Sequence, residues 1–189
     1  MSKLRVGLAL TGSYCTYAEA LGAFEELCEK YDVTPIMSEG SAETDSRFGR
    51  AKDFIARFEG MCGKKIIKTI PEAEPIGPKK LLDVVVIAPC TGNTLAKLAG
   101  GITDTCVTMA AKAHMRNGGA VLLGISTNDG LSGSAQNIGS LLARKNIYFI
   151  PFYQDDPEGK PHSLAARYNL LEKAIEAAAK GKQLQPIIA

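Results

Sequence analysis

Apolar residues along the chain come in short runs that end on small polar residues, and most runs are followed by a stretch with helical periodicity. Leu4 to Leu10 (LRVGLAL) predicts a strand ending at Thr11-Gly12-Ser13, after which Tyr17, Leu21, Phe24, Leu27 and Cys28 recur on one helix face. Val33 to Met37 predicts a second strand, shortened by Pro35 and closing on Ser38-Glu39-Gly40. A helix is expected from about Ser46 through Met61, with Phe48, Phe54, Ile55 and Phe58 facing inward. Lys64 to Ile70 predicts a third strand. Pro71 to Pro78 carries no helical pattern, and that gap suggests a crossover between two halves of a sheet. Val84 to Ala88 is unbroken and apolar, the habit of a strand buried on both faces, and Pro89 is expected to end it. Helices then follow from Asn93 to about Leu98 and near Thr105 to Met115, with a fifth strand at Ala120 to Gly124. Helix Ala135 to Arg144, strand Ile147 to Ile150 and a terminal helix Leu164 to Ala179 complete the pattern.

Six such alternating units predict a doubly wound α/β fold: one six-stranded parallel sheet in a three-layer sandwich of the Rossmann or flavodoxin kind. Residues 1–189 are expected to form one domain, with 181–189 as a C-terminal tail. Polar turns close the first, second, fourth and fifth strands and should converge on the carboxyl edge, where such sheets bind ligands. The first turn reads Thr11-Gly12-Ser13-Tyr14-Cys15-Thr16, without Gly-x-Gly-x-x-Gly, and no P-loop lysine pattern occurs. A mononucleotide with one phosphate for Gly12, Ser13 and Ser38 fits better than a dinucleotide. Cys90 to Thr94 likewise present backbone N–H groups at a helix start, where an anion is favoured.

Composition narrows the classes. With 46% hydrophobic and 22% charged residues over 189 positions, the chain reads as an ordinary globular protein with room for one sizeable core. A net charge of +2 without a basic stripe argues against nucleic-acid partners. No apolar run approaches the ~20 residues of a membrane span, and Met1-Ser2-Lys3 leads into a strand, so a cytoplasmic protein is expected. Five cysteines, odd in number and without a Cys-x-x-Cys pair, predict reduced thiols and neither a disulfide framework nor a metal site. Cys15 and Cys90 follow strand ends, where packing is a commoner fate than nucleophilic chemistry. His114 and His162 have no partner at metal-ligand spacing and are expected at the surface.

Thr11-Gly12-Ser13, Ser38, the segment Ala88 to Ala99 and Gly101-Ile102-Thr103-Asp104 together resemble the flavoprotein family of homo-oligomeric flavin-containing cysteine decarboxylases. The resemblance implies a homo-oligomer that binds FMN. Its phosphate would lie at Gly12, Ser13 and Ser38, and its ring against Thr91, Gly92, Asn93, Thr94 and the turn Ser126, Thr127, Asn128. Asn93 and Asn128 are the candidate catalytic residues, able to orient a substrate carboxylate or the ring; each could instead cap a helix or form a turn, and for Asn93 the functional reading is favoured.

Departures from the family pattern matter. Where those decarboxylases carry a histidine before the fourth strand, this chain has Glu74-Pro75-Ile76-Gly77. Their Pro-x-Met-Asn-x-x-Met-Trp motif is replaced by Gly124 to Leu131, only Asn128 survives, and the chain has no Trp. Decarboxylation of a peptidyl cysteine is therefore not expected. Segments Ile76 to Lys80, Ala111 to Arg116, Ile125 to Leu131, Asn146 to Phe152 and Gly181 to Pro186 look like a branch of the family found in spore-formers. That branch implies oxidation of a dihydropyridine dicarboxylate in the mother-cell cytoplasm, beside a companion protein resembling pyridine-nucleotide dehydrogenases. Three readings stay open: one component of a flavin oxidoreductase, a non-catalytic binding or activating partner of the companion, and a decarboxylase. A dianionic substrate would want cations, and Lys97, Lys112, Arg116 and Arg144 are all available.

Overall fold

The computed structural model describes residues 3–188. Strands β1 (Arg5–Leu10), β2 (Asp32–Met37), β3 (Val84–Cys90), β4 (Ala120–Thr127) and β5 (Ile147–Phe149) pair in parallel in the order β2-β1-β3-β4-β5. Two short strands, β6 (Phe152–Tyr153) and β7 (Leu164–Ala166), extend the sheet antiparallel from the carboxyl end of β4, through Ser126 opposite Ala165 and Thr127 opposite Leu164. The helices are α1 (Tyr17–Lys30), α2 (Glu39–Glu43), α3 (Ala51–Cys62), α4 (Ile70–Ala73), α5 (Gly92–Gly100), α6 (Cys106–Met115), α7 (Ala135–Leu142) and α8 (Leu171–Ala179).

The alternation of side chains along buried strands distributes these helices over both faces. Val84, Val86 and Ala88 of β3 pack with Tyr17, Phe24, Phe58 and Ile175, beneath α1, α3 and α8. Val85, Ile87 and Cys90 face the opposite layer, with Leu95, Val107, Ala110 and Leu141 of α5, α6 and α7. The doubly wound parallel fold is as the sequence leads one to expect, and the crossover lies where the Pro71–Pro78 gap suggests, carrying the chain from edge strand β2 past β1 to β3.

Six local expectations are corrected. Lys64–Ile70 is no strand: Ile67 alone bridges Ile36, and Thr69 instead caps α4 in a reciprocal box with Glu72, Pro71 standing in its first turn. The stretch after it, expected to lack helix, continues into a 3-10 turn at Glu74–Ile76. Pro89 does not end β3. The strand runs to Cys90 because the register shifts between Ile87 and Cys90, so the missing N–H of Pro89 costs no ladder bond. Leu164–Ala179 divides into β7, a 3-10 turn at Tyr168–Leu170 and α8. The helix expected from Ser46 begins at Ala51, whose N–H donates to Asp45 Oδ1 at 2.8 Å, and Phe48 is exposed under the Arg47 guanidinium. His114 is also not a surface residue: it is 5% exposed, and its ring fills the space above Gly119, where a Cβ would collide with it.

Candidate functional site

The order of strands reverses between β1 and β3, and their carboxyl ends are joined there by one buried hydroxyl. Thr11 Oγ1 donates to the Pro89 carbonyl at 2.8 Å and accepts the Thr91 N–H at 3.2 Å, while the Tyr17 hydroxyl donates to the Thr11 carbonyl at 3.0 Å. Thr91 then caps α5, its side chain accepting the Thr94 N–H at 3.1 Å. The Gly92 and Asn93 N–H groups at the helix start keep no partner among the described residues, the arrangement that receives an anion.

A cavity of about 510 Å³ opens beside this junction, bordered by the turns after β1, β2 and β3 and by the start of α6. Ser38 caps α2 from the Ser41 N–H and exchanges a 2.7 Å hydrogen bond with the Ser41 hydroxyl. The two carboxylates on the cavity wall are both engaged. Glu39 accepts the Cys106 N–H at 2.9 and 3.2 Å, closing the start of α6, and Asp104 pairs with Lys97 at 2.9 Å. Lys97 offsets the Asp104 charge, whereas the Cys106 N–H orients Glu39 without removing its charge, so the anion site rests on the open N–H groups at the start of α5.

Of the residues the sequence nominates, Gly12, Ser38, Thr91, Asn93 and Thr94 all border this cavity. Ser13 and Ser126 meet one another instead: their hydroxyls are 2.7 Å apart, and Thr16 Oγ1 is 2.8 Å from Ser126 Oγ. This cluster ties the turn after β1 to the end of β4. Gly92 and Thr127 belong to a neighbouring cluster in which Asp129 accepts from the Thr127 hydroxyl at 2.5 Å and the Ser134 hydroxyl at 2.9 Å. Those hydroxyl bonds hold the Asp129 carboxyl below its usual range, and a Cβ on Gly92 would strike all three side chains. Asn128 is exposed on the adjoining turn. Sequence reasoning missed Tyr14, Glu39, Ser41 and Asp104 on the cavity wall and the Thr127–Asp129–Ser134 cluster. For the Glu39 cap only the fold brings the partner, 67 residues away, into place.

Thiol chemistry finds no support. Burial pushes the Cys90 and Cys106 thiols well up, away from the reactive thiolate, and Cys106 Sγ donates to the Met37 carbonyl at 2.9 Å. All five cysteines are free, with Cys28 and Cys62 sulfurs in contact at 3.2 Å. Among the described residues no group of His, Cys, Asp and Glu could hold a metal ion, and no helix is long and apolar enough to cross a membrane.

Strand order β2-β1-β3-β4-β5, with a capped helix start and hydroxyl-bearing turns at the reversal, defines an α/β fold of the flavodoxin-like kind with an anion-favouring helix start at its switch point. The chain belongs to the flavoprotein family, whose profile matches residues 1–138. It is 47% identical over 185 residues to the B subunit of dipicolinate synthase from Bacillus subtilis (strain 168), covering 97% of this chain and 92% of that protein. The crystal structure of the corresponding dipicolinate synthase B subunit from Bacillus halodurans C superposes with a TM-score of 0.90 at 46% identity, over 100% of this chain and 98% of that one. The FMN-dependent cysteine decarboxylase SpaF shares the fold, with a TM-score of 0.64 at 20% identity over 94% and 98% of the two chains.

Proposed function

We propose that this chain is the FMN-binding component of a dipicolinate synthase, taking part in the oxidation of a dihydrodipicolinate-type precursor to dipicolinate together with the A subunit of dipicolinate synthase. The observation that carries this reading is the 47% identity to a dipicolinate synthase B subunit over 97% of the chain, joined to a cavity built for an anion at the sheet's reversal point. The donors there fit a flavin mononucleotide. The open N–H groups of Gly92 and Asn93, the Gly12 backbone and the Ser38 hydroxyl would hold its phosphate, with Ser13 behind them through its bond to Ser126. Thr91, Asn93 and Thr94 would flank the ring, and Thr127 would stand against Gly92 with its hydroxyl on Asp129. When bound, FMN supplies a two-electron hydride acceptor. The chain's own residues position it and set the charge around it, with Asn93 on the wall and Asn128 on the adjoining exposed turn as the amides available to orient substrate.

A second reading, in which this protein binds or activates while its companion performs the redox step, is favoured by a specific observation. The site carries no histidine: Glu74–Gly77 replaces the family's base, His114 is buried, and His162 lies on an exposed loop. Both readings take the protein to be a homo-oligomer in the mother-cell cytoplasm of a spore-former. The test is a visible spectrum of the purified protein with FMN, followed by precursor with and without the companion. Bleaching of the flavin by precursor alone supports the redox reading, and bleaching only in the companion's presence supports the partner reading. A protein that neither carries nor binds FMN refutes the flavin assignment.

A further inference from the structure

The structure separates the four cations that the sequence offers to a dianion. Lys97 holds Asp104, and Arg144 donates at 2.8 Å to each of the Leu98 and Ala99 carbonyls at the end of α5. Lys112 and Arg116 engage no carboxylate or carbonyl among the described residues, and both border a second cavity of about 340 Å³. This cavity lies between the C-terminal half of α6 and the segment Glu74, Gly77 and Pro78.

Four residues apart, Lys112 and Arg116 share one helix face, with Cβ atoms roughly 5–6 Å apart. From there their flexible side chains can bring both charged heads to one small dianion. Like charges at this spacing repel, and the helix C-terminus offsets only part of the cost. Glu74 is the third charged group on the wall, so the lining keeps one net positive charge. Asn117 Nδ2 donates to the Gly77 carbonyl at 2.7 Å, which leaves the amide oxygen as an acceptor at the cavity edge. The wall is firm, because Gly77 packs directly on the Ala113 backbone.

We propose that this cavity binds a small planar dicarboxylate, with Lys112 and Arg116 each receiving one carboxylate and the Asn117 amide oxygen open to the ring N–H of a dihydro form. The Arg116 fork suits bidentate carboxylate binding, and the compact Lys112 ammonium serves as a point charge. The choice of a dicarboxylate rests on the dipicolinate reading above, whereas the location rests on the unpaired cations. Lys112 stands seven residues beyond Thr105 of the first cavity, roughly 10 Å along α6, so a dicarboxylate held here is out of contact with a flavin in the first cavity, and the site goes with the second reading, in which this protein holds the dicarboxylate while its companion performs the redox step.

The test titrates the full chain calorimetrically with pyridine-2,6-dicarboxylate and with pyridine-2-carboxylate, and in parallel with FMN by flavin fluorescence. Saturable dicarboxylate binding is expected, with the monocarboxylate at least about tenfold weaker. Lys112→Met and Arg116→Met should each weaken the dicarboxylate by about tenfold or more, and exposed Lys173→Met by less than about twofold. FMN affinity should stay within about twofold of the parent in all three variants. Dicarboxylate binding that fails to saturate, that does not discriminate against the monocarboxylate, or that survives both cation variants overturns the proposal. Because FMN is titrated separately, absent flavin binding sinks the flavin reading while leaving this site intact, and the reverse result sinks this site alone.

Discussion

Gly77→Ala isolates the contact between the Glu74–Ile76 turn and α6. Gly77 has ordinary helical angles, φ −72° and ψ −66°, so alanine meets no conformational penalty there. The added Cβ would lie 2.5 Å from the Ala113 carbonyl oxygen, 3.0 Å from its carbon and 3.2 Å from its Cα. All three are backbone atoms inside a helix and cannot turn aside as a side chain would. Relief needs the turn to retreat by about 1 Å, which loosens fully buried Ala73 and Ile76 and stretches the Asn117 bond to Gly77. Overpacking of this kind costs about 1–3 kcal/mol. At about 2–4 °C per kcal/mol for a chain of this size, the melting temperature should fall by about 2–12 °C. Gly139→Ala in α7 is the counterpart: nothing stands within 4 Å of its Cβ, and helix propensity alone should raise stability by about 0.5–1 kcal/mol. Differential scanning calorimetry of both variants measures a difference in sign. A Gly77→Ala protein melting within about 1 °C of the parent would refute the packing argument.

Thr11→Val removes the hydroxyl between Pro89 and Thr91 and leaves two backbone groups unpaired; urea denaturation should register a loss of about 1–3 kcal/mol, and no loss would mean the junction does not hold the β1 and β3 ends. Burial holds the His114 imidazole below the ordinary histidine range, so the unfolded chain takes up that proton first. Its contribution is complete above about pH 6.5 and declines as pH drops toward the folded value, with a slope of at most ~1.4 kcal/mol per pH unit. Urea midpoints at several pH values should vary less in His114→Gln than in the parent, and parallel curves would contradict this. Buried Cys90 and Cys106 should resist iodoacetamide at neutral pH while exposed Cys15 is alkylated, as peptide mass spectrometry can verify; early labelling of Cys90 would argue against the closed junction. Lys97→Met leaves Asp104 uncompensated beside the first cavity and should weaken FMN binding several-fold, on the order of 1 kcal/mol. Adding Asp104→Asn should restore it, and equal affinities in the single and double variants would exclude this electrostatic role.

The parallel strands were legible because a strand covered on both faces is apolar at every position, and the β-branched run Val84 to Ile87, short and bounded by Asp83 and Pro89, favours a strand over a buried helix. The turns at the carboxyl edge were legible for a related reason, since the small polar residues that end each run are also those that cap the next helix. Lys64–Ile70 misled because Ile66, Ile67 and Ile70 suggest a strand, although Thr69-Ile70-Pro71-Glu72 already holds a capping box. No local signal marks Leu164–Ala166 as a strand, because Leu-Ala-Ala suits the helix that follows and only pairing with β4 and β6 decides otherwise. His114 was misplaced by residue type: α6 is buried at Cys106, Val107, Thr108, Ala110, Ala111, Ala113 and His114, and its exposed side is marked by Lys112 and Arg116, between which His114 turns inward.

The chemistry of the first cavity depends on pairings that have no sequence signature. Glu39 and Asp104 would repel a phosphate if free, yet one closes the start of α6 and the other holds Lys97. Lys97 offsets Asp104, and Glu39 supports the wall while keeping its charge. The same accounting of partners separates the cations: Lys97 and Arg144 complete a carboxylate and two helix-end carbonyls, whereas Lys112 and Arg116 complete nothing among the described residues. Composition counts all four alike at +1. A charge already satisfied inside the fold has little left for a ligand, while an unsatisfied pair on one helix face gains when a dianion arrives. Ligand selection in this chain therefore follows from which charges folding leaves without partners, and the cavity beside α6 is where two of them stand together.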